Sequence, residues 1–146
     1  MKDLADRADV EELVVAFYRA AFIDPLLGPV FVDVAKMDLE RHLPIMCDFW
    51  ETVLFRTGSY RRNALQAHLA LHALSPLGEE HFERWYVLWS RAVDAHYRGP
   101  VADHAKLQAG RIAGAMLRRL TGQPGAAFED FNRHHEQERS DAHAVH

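Results

Sequence analysis

Residues 14–31 read VVAFYRAAFIDPLLGPVF, and both halves of that stretch point to a helical chain. The first half belongs to an amphipathic helix predicted over 9–22. Val10, Leu13, Val14, Phe17 and Ala21 fall on one stripe at three- and four-residue spacing, with Asp9, Glu11, Glu12 and Arg19 off it. Asp9 followed by Glu12 has capping-box spacing and predicts Asp9 as the N-cap. Pro25 pushes Asp24 out of the helical region and stops the helix. The remainder, 23–35, holds two prolines and a glycine among apolar residues, which predicts a tight buried corner with at most one short helix.

Outward from there the same period recurs. A helix over 38–55 carries Leu39, Met46, Phe49, Trp50, Val53 and Leu54, with Pro44 marking either its first turn or a kink. TGSYRRN (57–63) is a turn-rich break, and ALQAHLALHAL (64–74) predicts a short helix ended by Ser75 and Pro76. Phe82, Trp85, Tyr86, Trp89 and Val93 define a helix over 79–97 that Gly99-Pro100 breaks. A last amphipathic helix covers 101–120, with Gly122 placed as its C-cap. No strand alternation or internal repeat is present. The class is all-α: one domain over 1–122, then a polar, His-rich tail over 123–146 predicted to be frayed or disordered.

Composition narrows the function. At 49% hydrophobic and 26% charged over 146 residues, the chain is too apolar for intrinsic disorder and long enough for a real core. A formal charge of −4 argues against nucleic acid as a partner. No apolar run approaches a membrane span, and MKDLADRADVEELV is acidic and amphipathic, unlike a signal peptide, so a cytoplasmic protein is expected. Cys47, the one cysteine, excludes a disulfide framework or a Cys-rich metal site and reads as a small buried hydrophobe. Gly110 and Gly114 read as close helix packing. Glycine-loop, GxSxG, HExxH and EF-hand motifs are missing.

Ten histidines stand out, and His68 and His72 share a helical face. Three readings of that pair stay open on spacing alone. Zinc would need a third ligand that QAHLALHALSP does not supply. One histidine could serve as an axial haem ligand, or both could be buried and satisfied by backbone carbonyls.

VVAFYRAAFIDPLLGPVF (14–31), HLPIMCDFW (42–50), GSYRRNALQAHLAL (58–71) and EEHFERWYVLW (79–89), in that order, resemble the group III truncated haemoglobins over roughly residues 10–120. The resemblance implies a shortened globin, with helix pairs 9–22/38–55 and 79–97/101–120 stacked two over two around haem b. It implies His68 as the proximal iron ligand, Tyr18 on the distal side, His42 nearest the ligand entrance, Met46 over the pocket, and Trp85 with its indole N–H facing the ligand. HALSPLGEE (72–80) is about three residues longer than the family pattern, which leaves His72 as the alternative ligand. Phe17, Phe31, Phe49, Trp50 and Phe82 would furnish core and pocket walls, and Trp89 reads as core packing. Arg41, Arg61 and Arg62 are the candidates to meet the haem propionates.

The function implied is binding of a diatomic gas (oxygen, nitric oxide or carbon monoxide) with slow release, suited to scavenging, sensing or redox chemistry rather than bulk transport. Nitric oxide dioxygenase- or peroxidase-like turnover would need a separate reductase or other electron donor. The alternatives are a haem-free helical regulatory or partner-binding module with globin topology, and a zinc-binding helical domain using His68 and His72. No feature of the sequence sets an oligomeric state, and the tail histidines His134, His135, His143 and His146 carry no assigned function.

Overall fold

The computed structural model describes residues 1–58, 60, 72 and 76–121. The proximal candidate His68, the arginines Arg61 and Arg62, nearly all of the predicted 64–74 helix and the tail lie outside the described residues. Within them the chain forms α1 (Arg7–Ile23), α2 (Leu39–Phe55), α3 (Glu79–His96) and α4 (Pro100–Thr121), with a π-helical turn at Pro29–Val34 between α1 and α2. No strand occurs among the described residues. None of their helices is long and apolar enough to cross a membrane.

Helix α1 packs along α2 and α3 along α4, while α1 also lies on α3 and α2 on α4, giving the two-over-two arrangement. The predicted stripe is the buried one: Val10, Leu13, Val14, Phe17 and Ala21 all face the core. Burying each such side chain is worth about 1.5–3 kcal/mol, far more than helix propensity supplies. On α4, Ala105, Ala109, Gly110, Ala113 and Gly114 are buried, and Trp89 of α3 reaches the backbone of α4 at the Ala105 carbonyl.

The start of α1 corrects the sequence reading. Asp6 is the N-cap, its carboxylate accepting from the Asp9 amide. Asp9 sits inside the helix instead, where its carboxylate takes the Ala5 amide at 2.9 Å and the Lys2 ammonium at 2.8 Å. The Lys2 bond, against the cost of burial, holds Asp9 below the usual carboxylate range. Pro44 lies well inside α2, which Asp38 caps by accepting from the Glu40 amide. The segment before α1 is tied to the α3–α4 turn. Asp3 accepts from the Val101 and Ala102 amides at 2.9 and 2.8 Å, and the Lys2 carbonyl accepts from the Arg98 amide. Gly99 makes that turn at φ 144°, a conformation that side chains with a Cβ rarely adopt.

Candidate functional site

The corner after α1 builds one wall of the site. Asp24 ends α1 and its side chain is buried, accepting from the Leu26 and Leu27 amides at 3.1 and 3.0 Å. Arg84 of α3 donates from Nε to the same carboxylate at 2.7 Å. Burial opposes the charge, but the Leu27 amide and the guanidinium outweigh it and leave Asp24 below its ordinary range. Gly28 passes so close to α1 that a Cβ there would lie 2.6 Å from the Phe22 carbonyl oxygen, so only glycine lets the corner close. The π-helical turn that follows presents Phe31 to α1.

Tyr18 is 5% exposed, and its ring lies edge-on to Phe17 at 5.1 Å and to Phe31 at 5.8 Å. Burial, with Cys47 nearby, pushes its phenol well above the ordinary value and keeps it a protonated donor. No hydrogen bond to its hydroxyl occurs among the described residues. Trp85 is half-buried on α3, edge-on to Phe17 at 6.0 Å, so Phe17 has Tyr18 on one side and Trp85 on another.

Trp89, one turn beyond Trp85, behaves as expected of a core residue. It is 1% exposed and its indole Nε1–H donates to the Ala105 carbonyl at 3.2 Å. The Trp85 indole N–H has no acceptor among the described residues. The Trp50 N–H also lacks one there, but of these two tryptophans it is Trp85 whose ring contacts Phe17, the neighbour of Tyr18. His42, half-buried on the first turn of α2, and Met46, one turn on, lie on the helix that also carries Cys47, Phe49 and Trp50. Met46 and Phe49 pack against the same core as Tyr18. Phe49 contacts Trp50 and Tyr60, at the other end of the aromatic cluster from Tyr18. Arg41 is exposed beside His42. Cys47 is buried, as expected, and burial raises its thiol to about 11.

His72 is engaged. Its Nδ1 accepts from the Leu77 amide at 2.8 Å, which in a neutral ring puts the proton on Nε2. Among the described residues no group of three or more His, Cys, Asp or Glu side chains could hold a metal ion.

The crystal structure of group III truncated hemoglobin from Campylobacter jejuni superposes on this chain with a TM-score of 0.74 at 26% identity, covering 86% of this chain and 99% of that one. The chain has the fold of a group III truncated haemoglobin. No family model matches it, and no curated protein sequence does at a significant level. The truncated-globin fold accounts for the corner at 24–28: it turns the chain between α1 and α2 while keeping Phe31 against Tyr18.

The sequence reading did not anticipate two features of this fold. One is the Asp24–Arg84 pair, sixty residues apart, which no local pattern announces. The other is the mutual stacking of the tryptophans, for which the heptad-like spacing of Trp85 and Trp89 gave half the signal and Trp50 none.

Proposed function

We infer that the chain binds haem b and through it a diatomic gas, with Tyr18 and Trp85 donating hydrogen bonds to the ligand. The observation carrying this reading is the pair of donors flanking Phe17, neither with an acceptor among the described residues. Two donors that no described residue takes up can serve an acceptor brought by a ligand. That the similar crystal structure is of a truncated hemoglobin supports the same cofactor here.

Haem, when bound, supplies an iron that can take a small gas molecule. The chain's own part is to hold the group and to select what binds. Phe31, Met46 and Phe49 give apolar or polarisable walls that exclude water, and in such surroundings an O–H or N–H is worth more than in solution. His42, half-buried on α2, is proposed as the residue nearest the ligand entrance, and the exposed Arg41 beside it suits a propionate.

His68 is proposed as the iron ligand. The tautomer that His72 needs in order to accept from Leu77 leaves its Nε2 protonated and unable to bind a metal, which favours His68 over its neighbour. Several donors around one ligand favour slow release, and hence scavenging, sensing or redox chemistry over transport. Any turnover draws electrons from a separate donor.

Absorption spectra of the purified protein, as isolated, reduced and then exposed to carbon monoxide, test the reading. A Soret band that sharpens and shifts with carbon monoxide is expected. Its absence even with excess hemin would overturn haem binding while leaving the globin fold intact.

A further inference from the structure

The chain has three tryptophans, and all three belong to one stack. Trp85 and Trp89 lie parallel, 7° apart, with ring centroids at 6.3 Å, and Trp89 lies nearly parallel to Trp50 at 4.2 Å. Trp50 meets Phe49 edge-on at 5.3 Å, and Phe49 meets the half-buried Tyr60 at 5.1 Å. One end of this row is Trp85, which shares with Tyr18 a contact to Phe17. The other is a phenol at the margin of the core.

We propose that this row is a one-electron relay that carries oxidising equivalents away from the ligand pocket after hydrogen peroxide is reduced there, along Trp85, Trp89 and Trp50 to Tyr60. It rests on the reading that haem is bound with Trp85 on the ligand side. The balance is simple. Hydrogen peroxide takes up two electrons and two protons, its O–O bond breaks, and two waters leave. Trp85 returns one electron at a time to the pocket, Trp89 refills Trp85, and Trp50 refills Trp89. Tyr60 then gives an electron to Trp50 across Phe49 and releases its O–H proton to solvent. A small phenolic reductant restores Tyr60 by giving one electron and one proton, and two such donors are consumed per peroxide.

The residues suit these roles. Indole and phenol are the oxidisable aromatic side chains, whereas a phenyl ring is not, so Phe49 bridges without holding the charge. The Trp89 N–H points at a backbone carbonyl, which is too weak a base to take its proton. An oxidised Trp89 therefore keeps that proton and passes the electron deficit on. Tyr18 is closer to the pocket, but no base for its proton occurs among the described residues, so it is a poor place for the deficit to settle.

The experiment mixes haem-loaded protein with one equivalent of hydrogen peroxide, freezes it for electron paramagnetic resonance, and maps oxidised side chains by peptide mass spectrometry. In the native chain, Tyr60 should be the main oxidised residue. Trp89→Phe should cut Tyr60 oxidation at least tenfold and shift it to Trp85 and Tyr18. Tyr60→Phe, which alters only the margin of the core, should leave the radical on Trp50. Equal Tyr60 oxidation with and without Trp89, or no side-chain radical despite normal consumption of peroxide, would overturn the relay. A second measurement needs no haem. A ruthenium photo-oxidant tethered at Glu83→Cys, an exposed position two residues before Trp85 on α3, should produce a tyrosyl signal after a flash, and Trp89→Phe should abolish it. If hemin fails to bind but the flash signal behaves so, the haem reading and the peroxide step fall while electron transfer along the row stands; a flash signal indifferent to Trp89 sinks the relay by itself.

Discussion

Arg84 Nε stands 2.7 Å from an Asp24 carboxylate oxygen whose side chain is only 2% exposed, and that same carboxylate closes the turn at Leu26 and Leu27. A single carboxylate thus ends α1, shapes the corner and ties it to α3 one residue before Trp85. It fixes where Tyr18's helix sits against Trp85's.

Breaking this pair strands a buried carboxylate, so Arg84→Met should cost about 2 kcal/mol at neutral pH. Because Asp24 is held below its ordinary range, its contribution is present above the unfolded carboxylate value and is lost as pH falls through the lower folded one. The difference between native and variant urea midpoints should therefore shrink as pH drops below about 4. A gap as wide at pH 3 as at pH 7 would show that the interaction is not ionic.

Tyr18→Phe removes one donor and little volume. In the haem-loaded protein, oxygen dissociation should speed up by about tenfold, the equivalent of roughly 1.4 kcal/mol for one hydrogen bond in a dry pocket. Stopped-flow release into carbon monoxide measures it, and an unchanged rate would mean that Tyr18 does not touch the ligand. The buried phenol should also resist ionisation in alkali until the chain unfolds.

His68→Ala should abolish ordinary histidine-ligated haem spectra. His72→Ala should keep them and lose only about 1 kcal/mol, the worth of the bond from the Leu77 amide. The opposite pattern reassigns the iron ligand to His72.

With its thiol raised to about 11 by burial, Cys47 carries almost no thiolate at pH 8. A disulfide reagent such as DTNB should leave the folded protein unmodified for as long as it stays folded and react within seconds in denaturant. Rapid labelling of the native chain would place Cys47 at an accessible surface.

Helical periodicity located all four described helices to within a few residues, because each must bury one stripe and the stripe is written in the sequence at fixed spacing. It misplaced the α1 cap. Asp6 and Asp9 are both good cap residues at compatible positions, and the choice fell to Lys2, whose ammonium draws Asp9 into the helix. The π-helical turn was legible only as a short helix, since one added residue per turn leaves no mark on an apolar run. Tyr18 and Trp85 are ordinary core residues by spacing, and only the order of four motifs marked them. Their juxtaposition across Phe17 depends on packing between helices, as does the stacking of Trp50 on Trp89.

The tie between Asp3 and the first turn of α4 has a consequence for synthesis. Residues 2 and 3 leave the ribosome long before 98–102, the backbone they bind, so α1 is translated with its lead-in segment unanchored. Fast local helix formation can proceed at once, but this long-range closure waits until nearly the whole helical core has emerged. A fusion or insertion between Met1 and Leu4 would therefore disturb the last contact made, not the first, and should show itself in how firmly the finished molecule holds together and not in whether its helices form.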